Sequence, residues 1–166
     1  MERLLLLAFI LVLTGINGCS SIFFFPQKSH LQTPDQLGLD YKDIFFTSAD
    51  DLTIHGWWLH AKAPVKGTIY FLHGNAENIS THIHNVAWLP EHGYQVFLLD
   101  YRGFGLSQGK PDLPGALEDI RSGLQFILAQ DATRGKPLYL LGQSLGASMA
   151  IYFAATDSQA KQHLSA

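Results

Sequence analysis

The chain has 166 residues, a formal net charge of −3 and 47% hydrophobic residues, enough for one ordinary domain with its own core. With 15% charged residues and no basic excess, it lacks the charge of a nucleic-acid binder and is too apolar for a disordered chain. Its single cysteine excludes an internal disulfide framework and a cysteine-rich zinc site.

Residues 4–13 form an unbroken apolar run, LLLLAFILVL, behind Met1-Glu2-Arg3. That length fits the core of a signal peptide better than a spanning helix, although Glu2 offsets Arg3. Residues 13–20 (LTGINGCS) resemble a bacterial lipoprotein cleavage site: small Gly18 precedes Cys19 and aliphatic Ile16 stands three before it, while Asn17 is unusual at its place. The resemblance implies lipidation of Cys19 as the first mature residue, and Ser20 after it resembles the outer-membrane-directed kind in a Gram-negative host. Residues 4–25 carry no charge, so an uncleaved anchor is an alternative. An ordinary thiol after a glycine is another. The expected division is a signal peptide over 1–18 (or an anchor to about residue 25), a tether over 19–40 and a domain over 41–166. Either membrane reading places the domain outside the cytoplasm, held at a membrane.

Residues 44–47 and 52–59 are β-rich and are split by the turn cluster Ser48-Ala49-Asp50-Asp51, which predicts a hairpin. Residues 68–72 (TIYFL), 94–99 (YQVFLL) and 138–141 (LYLL) are apolar on both faces, as buried parallel strands are. Ile79, Ile83, Val86 and Pro90 share a helical spacing with Asn78 as N-cap. Leu117, Ile120, Leu124, Ile127 and Leu128 give a second apolar stripe, and residues 145–155 read as a helix buried on most sides. Strands alternating with helices make an α/β fold. Trp57 and Trp58 are expected on opposite faces of their strand, one in the core and one at the surface.

The third apolar strand runs into Gly142-Gln143-Ser144-Leu145-Gly146 and then directly into a helix. A serine on so tight a turn needs flanking glycines, and the helix behind it aims free N–H groups at the site. His73-Gly74-Asn75-Ala76-Glu77-Asn78 ends the first parallel strand, and Asp100-Tyr101-Arg102-Gly103-Phe104-Gly105 follows the second. With these three blocks in order, the chain resembles an α/β-hydrolase of the subgroup that reads H-G-N-A-E-N, over roughly residues 41–156. The resemblance implies the N-terminal part of a mostly parallel sheet with helices on both faces and an antiparallel hairpin at its start. It also implies Ser144 as nucleophile, with the backbone N–H groups of Leu145 and Asn75 as the oxyanion hole. His73 is expected to shape that loop and not to act as base, since the family's base follows the nucleophile in sequence.

Asp100 and Arg102 are expected to tie down their glycine-rich loop. His82 and His84 face different sides of a helix and make no metal pair, and no metal or cofactor is implied. After Ser144 the chain offers only Asp157 and His163 as acid and base. Along a helix Asp157 lies about 20 Å from the serine, so the two make no triad. The expectation is therefore an incomplete hydrolase, truncated after the elbow helix, with a bare apolar edge at residues 138–141 and little or no turnover by itself. The alternative is a non-catalytic surface lipoprotein or a hydrolase remnant used as a binding module. Substrates in the first case are small esters, thioesters or peptides, with no nucleic acid.

Overall fold

The computed structural model describes residues 23–62 and 64–165. Cys19 and the apolar run before it lie outside the described residues.

The sheet starts with the predicted hairpin. Strands β2 (Tyr41–Thr47) and β3 (Thr53–Leu59) pair antiparallel from Tyr41↔Leu59 to Thr47↔Thr53. Ser48 closes the turn, donating its N–H to the Leu52 carbonyl (2.9 Å) and its hydroxyl to Asp50 (2.6 Å). Strands β4 (Gly67–Leu72), β6 (Tyr94–Asp100) and β7 (Leu138–Gly142) are the three predicted parallel strands, and the sheet order is β2-β3-β6-β4-β7.

Alternate residues of the inner strands feed two cores, as the period of a strand requires. Tyr70, Leu72, Phe97 and Leu99 pack against helices α2 (Leu113–Leu128) and α3 (Leu145–Thr156) on one face. Ile69, Phe71, Val96 and Leu98 pack against Ile79, Ile83, Val86 and Leu89 on the other. Trp57 and Trp58 do lie on opposite faces, but both are buried, because each face carries its own core.

Three further expectations need correction. The stripe beginning at Ile79 is buried as predicted, with Asn78 capping it through Ser80 N–H (2.9 Å), yet it is helical only over α1 (Ile79–His82) and continues as a 3-10 turn at Ile83–Asn85. The run Ile-Ser-Thr-His-Ile-His-Asn is poor in strong helix formers, and its buried face alone does not hold a longer helix. Helix α3 is not buried on most sides. Gly146, Met149, Ala150 and Phe153 face the sheet, while Ile151 and Tyr152 are exposed among the described residues.

The third correction concerns the tether. From Phe23 onward the segment is docked on the domain. Strand β1 (Phe25–Pro26) pairs with β5 (Ala76–Glu77), Phe24 and Leu39 are buried, and a 3-10 turn covers Pro34–Leu37. The boundary drawn for an alternative anchor, about residue 25, falls inside β1. Strand β7 lies at the sheet edge with Leu141 exposed, as expected. Beyond the short helix α4 (Ser158–His163) the chain returns to that edge, where Leu164 bridges Leu138 in parallel and Ser165 N–H donates to the Leu138 carbonyl (2.7 Å).

Candidate active site

Strand β4 lies between β6 and β7, and the chain leaves it toward one face while leaving β7 toward the other. Departures to opposite faces open a crevice beyond the carboxyl ends of neighbouring strands, where ligands bind in open α/β sheets. The two sequence blocks that end these strands, at residues 73–78 and 142–146, meet at that crevice.

Ser144 occupies the sharp turn from β7 into α3. Its φ of 53° and ψ of −118° are strained for a residue with a side chain, a state that costs about 1–3 kcal/mol and persists only where the surroundings enforce it. Gln143 N–H donates to the Leu72 carbonyl (3.0 Å), pinning the turn to β4. A Cβ on Gly142 would stand 2.5 Å from Cα of Ala147, and one on Gly146 would stand 2.2 Å from the Leu72 carbonyl oxygen. Both contacts are with backbone, so any larger residue forces the strand and helix apart. Ser144 itself is exposed.

The loop after β4 lies against it. A Cβ on Gly74 would be 3.7 Å from Cβ of Ser144 and 3.3 Å from Cε1 of His82. Among the described residues the backbone N–H groups of Asn75 and Leu145 donate to no protein acceptor. The Asn75 side chain and carbonyl are both engaged by the docked segment: Nδ2 donates to the Phe23 carbonyl (3.1 Å), and Phe25 N–H donates to the Asn75 carbonyl (2.8 Å).

His73 is fully buried beneath this loop. Its Nδ1 donates to the Gly74 carbonyl (2.7 Å), which leaves Nε2 as the unprotonated nitrogen, 3.5 Å from Asp100 Oδ1 and without a hydrogen-bond partner. Burial pushes the imidazole down, to about 4; the Asp100 charge opposes this, and His82 adds to it. His73 is therefore a neutral wedge. It packs on Tyr101 (4.4 Å) and Phe104 (5.0 Å), and Tyr101 donates its hydroxyl to the His73 carbonyl (3.0 Å).

Asp100 anchors the same region. Burial raises its carboxyl, but the His30 and His55 contacts, the nearby His73 ring and Ile79 N–H (3.0 Å) more than offset this and hold it at about 2. His30 Nε2 lies 3.1 Å and His55 Nδ1 3.7 Å from Asp100 Oδ2, and the three side chains each offer a polar atom within 4.8 Å of the others, a spacing that a metal ion could bridge. A Cβ on Gly105 would stand 2.0 Å from that same carboxylate oxygen, so the backbone of the glycine-rich loop closes over the group. Arg102 pairs with buried Asp119 (2.8 Å) and with Asp50 (2.7 Å). Both residues tie down the loop.

His82 has a place that sequence reasoning missed. Its ring stacks on His73 at 5.3 Å, with Nδ1 2.8 Å from Gln143 Oε1 and Nε2 3.0 Å from the Ala76 carbonyl. It thereby links the residue before Ser144 to the loop that carries Asn75. Its nearness to the strand end was readable from Asn78 as a cap, but the contact to Gln143 spans 61 positions and leaves no local signal.

Asp157 and His163 stay away from the serine. Asp157 caps α4 through Gln159 and Ala160 N–H and pairs with Arg121 (2.8 Å). His163 ends α4 one residue before Leu164 bridges Leu138, at the opposite end of β7 from Ser144. An open apolar groove of about 540 Å³ does adjoin the elbow, lined by Leu113, Leu117, Leu145, Met149 and Tyr152.

A serine at a strained strand-to-helix turn, facing a loop with a free N–H across a sheet switch point, defines the α/β-hydrolase class. The chain belongs to the α/β-hydrolase family whose model is described as serine aminopeptidase, S33, and that model matches residues 63–165. It is 36% identical over 129 residues to YfhR of Salmonella typhimurium, covering 75% of this chain and 43% of the relative. It is 32% identical over 124 residues to the α/β-hydrolase domain-containing protein WAV2 of Arabidopsis thaliana, covering 74% of this chain and 40% of that one. The chain thus spans less than half the length of these relatives. Among solved structures, the Pyrococcus furiosus esterase Pf2001 is similar with a TM-score of 0.68 at 26% identity, covering 80% of this chain and 54% of the esterase.

Proposed function

We propose that this chain carries the nucleophile half of a membrane-tethered serine hydrolase. Ser144 attacks the carbonyl carbon of an ester, thioester or amide, and the Leu145 and Asn75 N–H groups hold the resulting oxyanion. Donors preorganised in this way are typically worth about 2.7–4 kcal/mol each in the transition state. The proton of Ser144 passes to a histidine that a carboxylate orients, roles that Asp157 and His163 do not fill. The leaving group departs as the acyl-enzyme forms, and water then releases the acid. The groove beside Leu145 suits an apolar acyl chain. Lipidation at Cys19, or an N-terminal anchor, holds the domain on the extracytoplasmic side of a membrane.

The observation that carries this reading is the positive φ of Ser144, enforced by two glycines that admit no Cβ. Strain of this kind is retained where it serves a site. The test is fluorophosphonate labelling of the protein in its native membranes, with the adduct mapped by mass spectrometry. Labelling at Ser144 that S144A abolishes supports the reading. No difference between wild type and S144A refutes it and favours the binding-module alternative.

A further inference from the structure

The docked N-terminal segment has an alternating exposure. Phe24 is buried and meets Phe104 edge-on at 6.2 Å, whereas Phe23 and Phe25 are 65% and 63% exposed. Residues 23–27 carry no charge. Leu106, 53% exposed, follows Gly105, whose N–H donates to the Gln27 carbonyl (3.0 Å). An apolar rim therefore borders the loop that bears Asn75. Among the described residues these two large aromatic side chains stay mostly exposed, one in the paired strand and one just before it, which the packing of those residues does not account for.

The length of chain ahead of them supplies one. Cys19 stands four positions before Phe23, and four residues span at most about 14 Å even when fully extended. Phe23 is itself hydrogen-bonded to Asn75. With the domain tethered through Cys19 or an N-terminal anchor, as proposed above, no long arm separates the bilayer from the site.

We propose that Phe23 and Phe25 insert into the bilayer surface, setting the Ser144 crevice at the membrane interface, so that its substrates are acyl esters or thioesters borne by lipid chains in that bilayer. The membrane contact stands on the rim and the short tether; the substrate class rests in addition on the serine-hydrolase reading above. Aromatic rings favour this interfacial depth, and burying them there adds to the hold of an acyl anchor.

The test uses the full-length protein reconstituted in phospholipid vesicles that contain brominated lipid. An environment-sensitive fluorophore is attached at position 25 (F25C) or, as control, at exposed Lys136 (K136C); Cys19 contributes equally to both. Quenching at position 25 at least threefold greater than at 136 is expected. Equal quenching overturns the membrane contact, and this readout needs no turnover. In parallel, the ratio of hydrolysis of a vesicle-borne long-chain ester to that of a soluble acetyl ester should fall about tenfold in F23S/F25S. An unchanged ratio overturns the substrate assignment. If neither ester is cleaved and Ser144 takes no phosphonate, the hydrolase reading and its substrate fail, while quenching still decides the membrane contact.

Discussion

Replacing Gly146 with alanine tests the close approach that shapes the elbow. The added Cβ would stand 2.2 Å from the carbonyl oxygen of Leu72 and 2.4 Å from that of His73, more than about 1 Å inside ordinary contact. Neither oxygen can readily yield. The Leu72 carbonyl accepts from Gln143 N–H (3.0 Å), and the His73 carbonyl accepts from the Tyr101 hydroxyl (3.0 Å). Helix α3 must therefore withdraw from β4, at about 3 kcal/mol by comparison with overpacked cores. Alanine regains at most about 1 kcal/mol of helix propensity, which leaves a net loss of about 2 kcal/mol. In a chain of 150–250 residues that lowers Tm by roughly 4–8 °C. The withdrawal also carries the Leu145 N–H away from Asn75, so phosphonate labelling of Ser144 should slow at least tenfold. Gly135 is the control, with a φ of 71° and nothing within 4 Å; G135A should cost about 1 kcal/mol from backbone strain alone and leave labelling unaltered. A G146A protein that melts no lower than G135A would falsify the packing argument.

Acidification should destabilise the fold through His73 before it reaches the carboxylates. The folded protein holds this imidazole neutral to about 4, while the unfolded chain binds the proton near 6.5, so stability falls as pH drops through that window and levels off below it, by about 3 kcal/mol in all. Urea midpoints between pH 7 and 4 check this, and H73F should flatten the profile. Removing Asp119 strands a buried guanidinium, because Asp119 is fully buried while Asp50 is half exposed. D119A should cost about 3–5 kcal/mol and D50A less than about 1 kcal/mol, compared by chemical denaturation. D157A should cost about 1 kcal/mol for the lost cap and leave Ser144 labelling unchanged; a labelling rate that fell tenfold would overturn its exclusion from the site.

Much of this architecture was legible because local chemistry and global fold agree. The hairpin was announced by Ser48-Ala49-Asp50-Asp51, and β4, β6 and β7 by short apolar runs with turn residues at each end. Gly142 and Gly146 marked the elbow because only glycine allows backbone to pack on backbone there. Helix α3 was misjudged because apolar residues all round imply burial, whereas Ile151 and Tyr152 are exposed among the described residues. The docked segment was missed for a different reason. It is held by Phe25 N–H on Asn75, Gln27 N–H on Glu77 and Asn78 Nδ2 on the Gln27 and Ser29 carbonyls, about 50 positions apart and with no periodic pattern. One trace was readable: three consecutive phenylalanines, which an extended chain splits between two faces, so that at least one of them meets the domain.

That segment bears on where a shortened form of the protein should begin. The family match begins at residue 63, and polarity alone suggests a start near Tyr41. Either choice would be a mistake. A start at 41 discards Phe24 from beneath Phe104, takes His30 from the Asp100 carboxylate, and frees both the side chain and the carbonyl of Asn75; a start at 63 removes β2 and β3 as well. A protein trimmed at Tyr41 could still fold around its sheet and bind no phosphonate, and the lost activity would be blamed on Ser144. Cutting between Cys19 and Phe23 removes Cys19 and leaves the loop its brace.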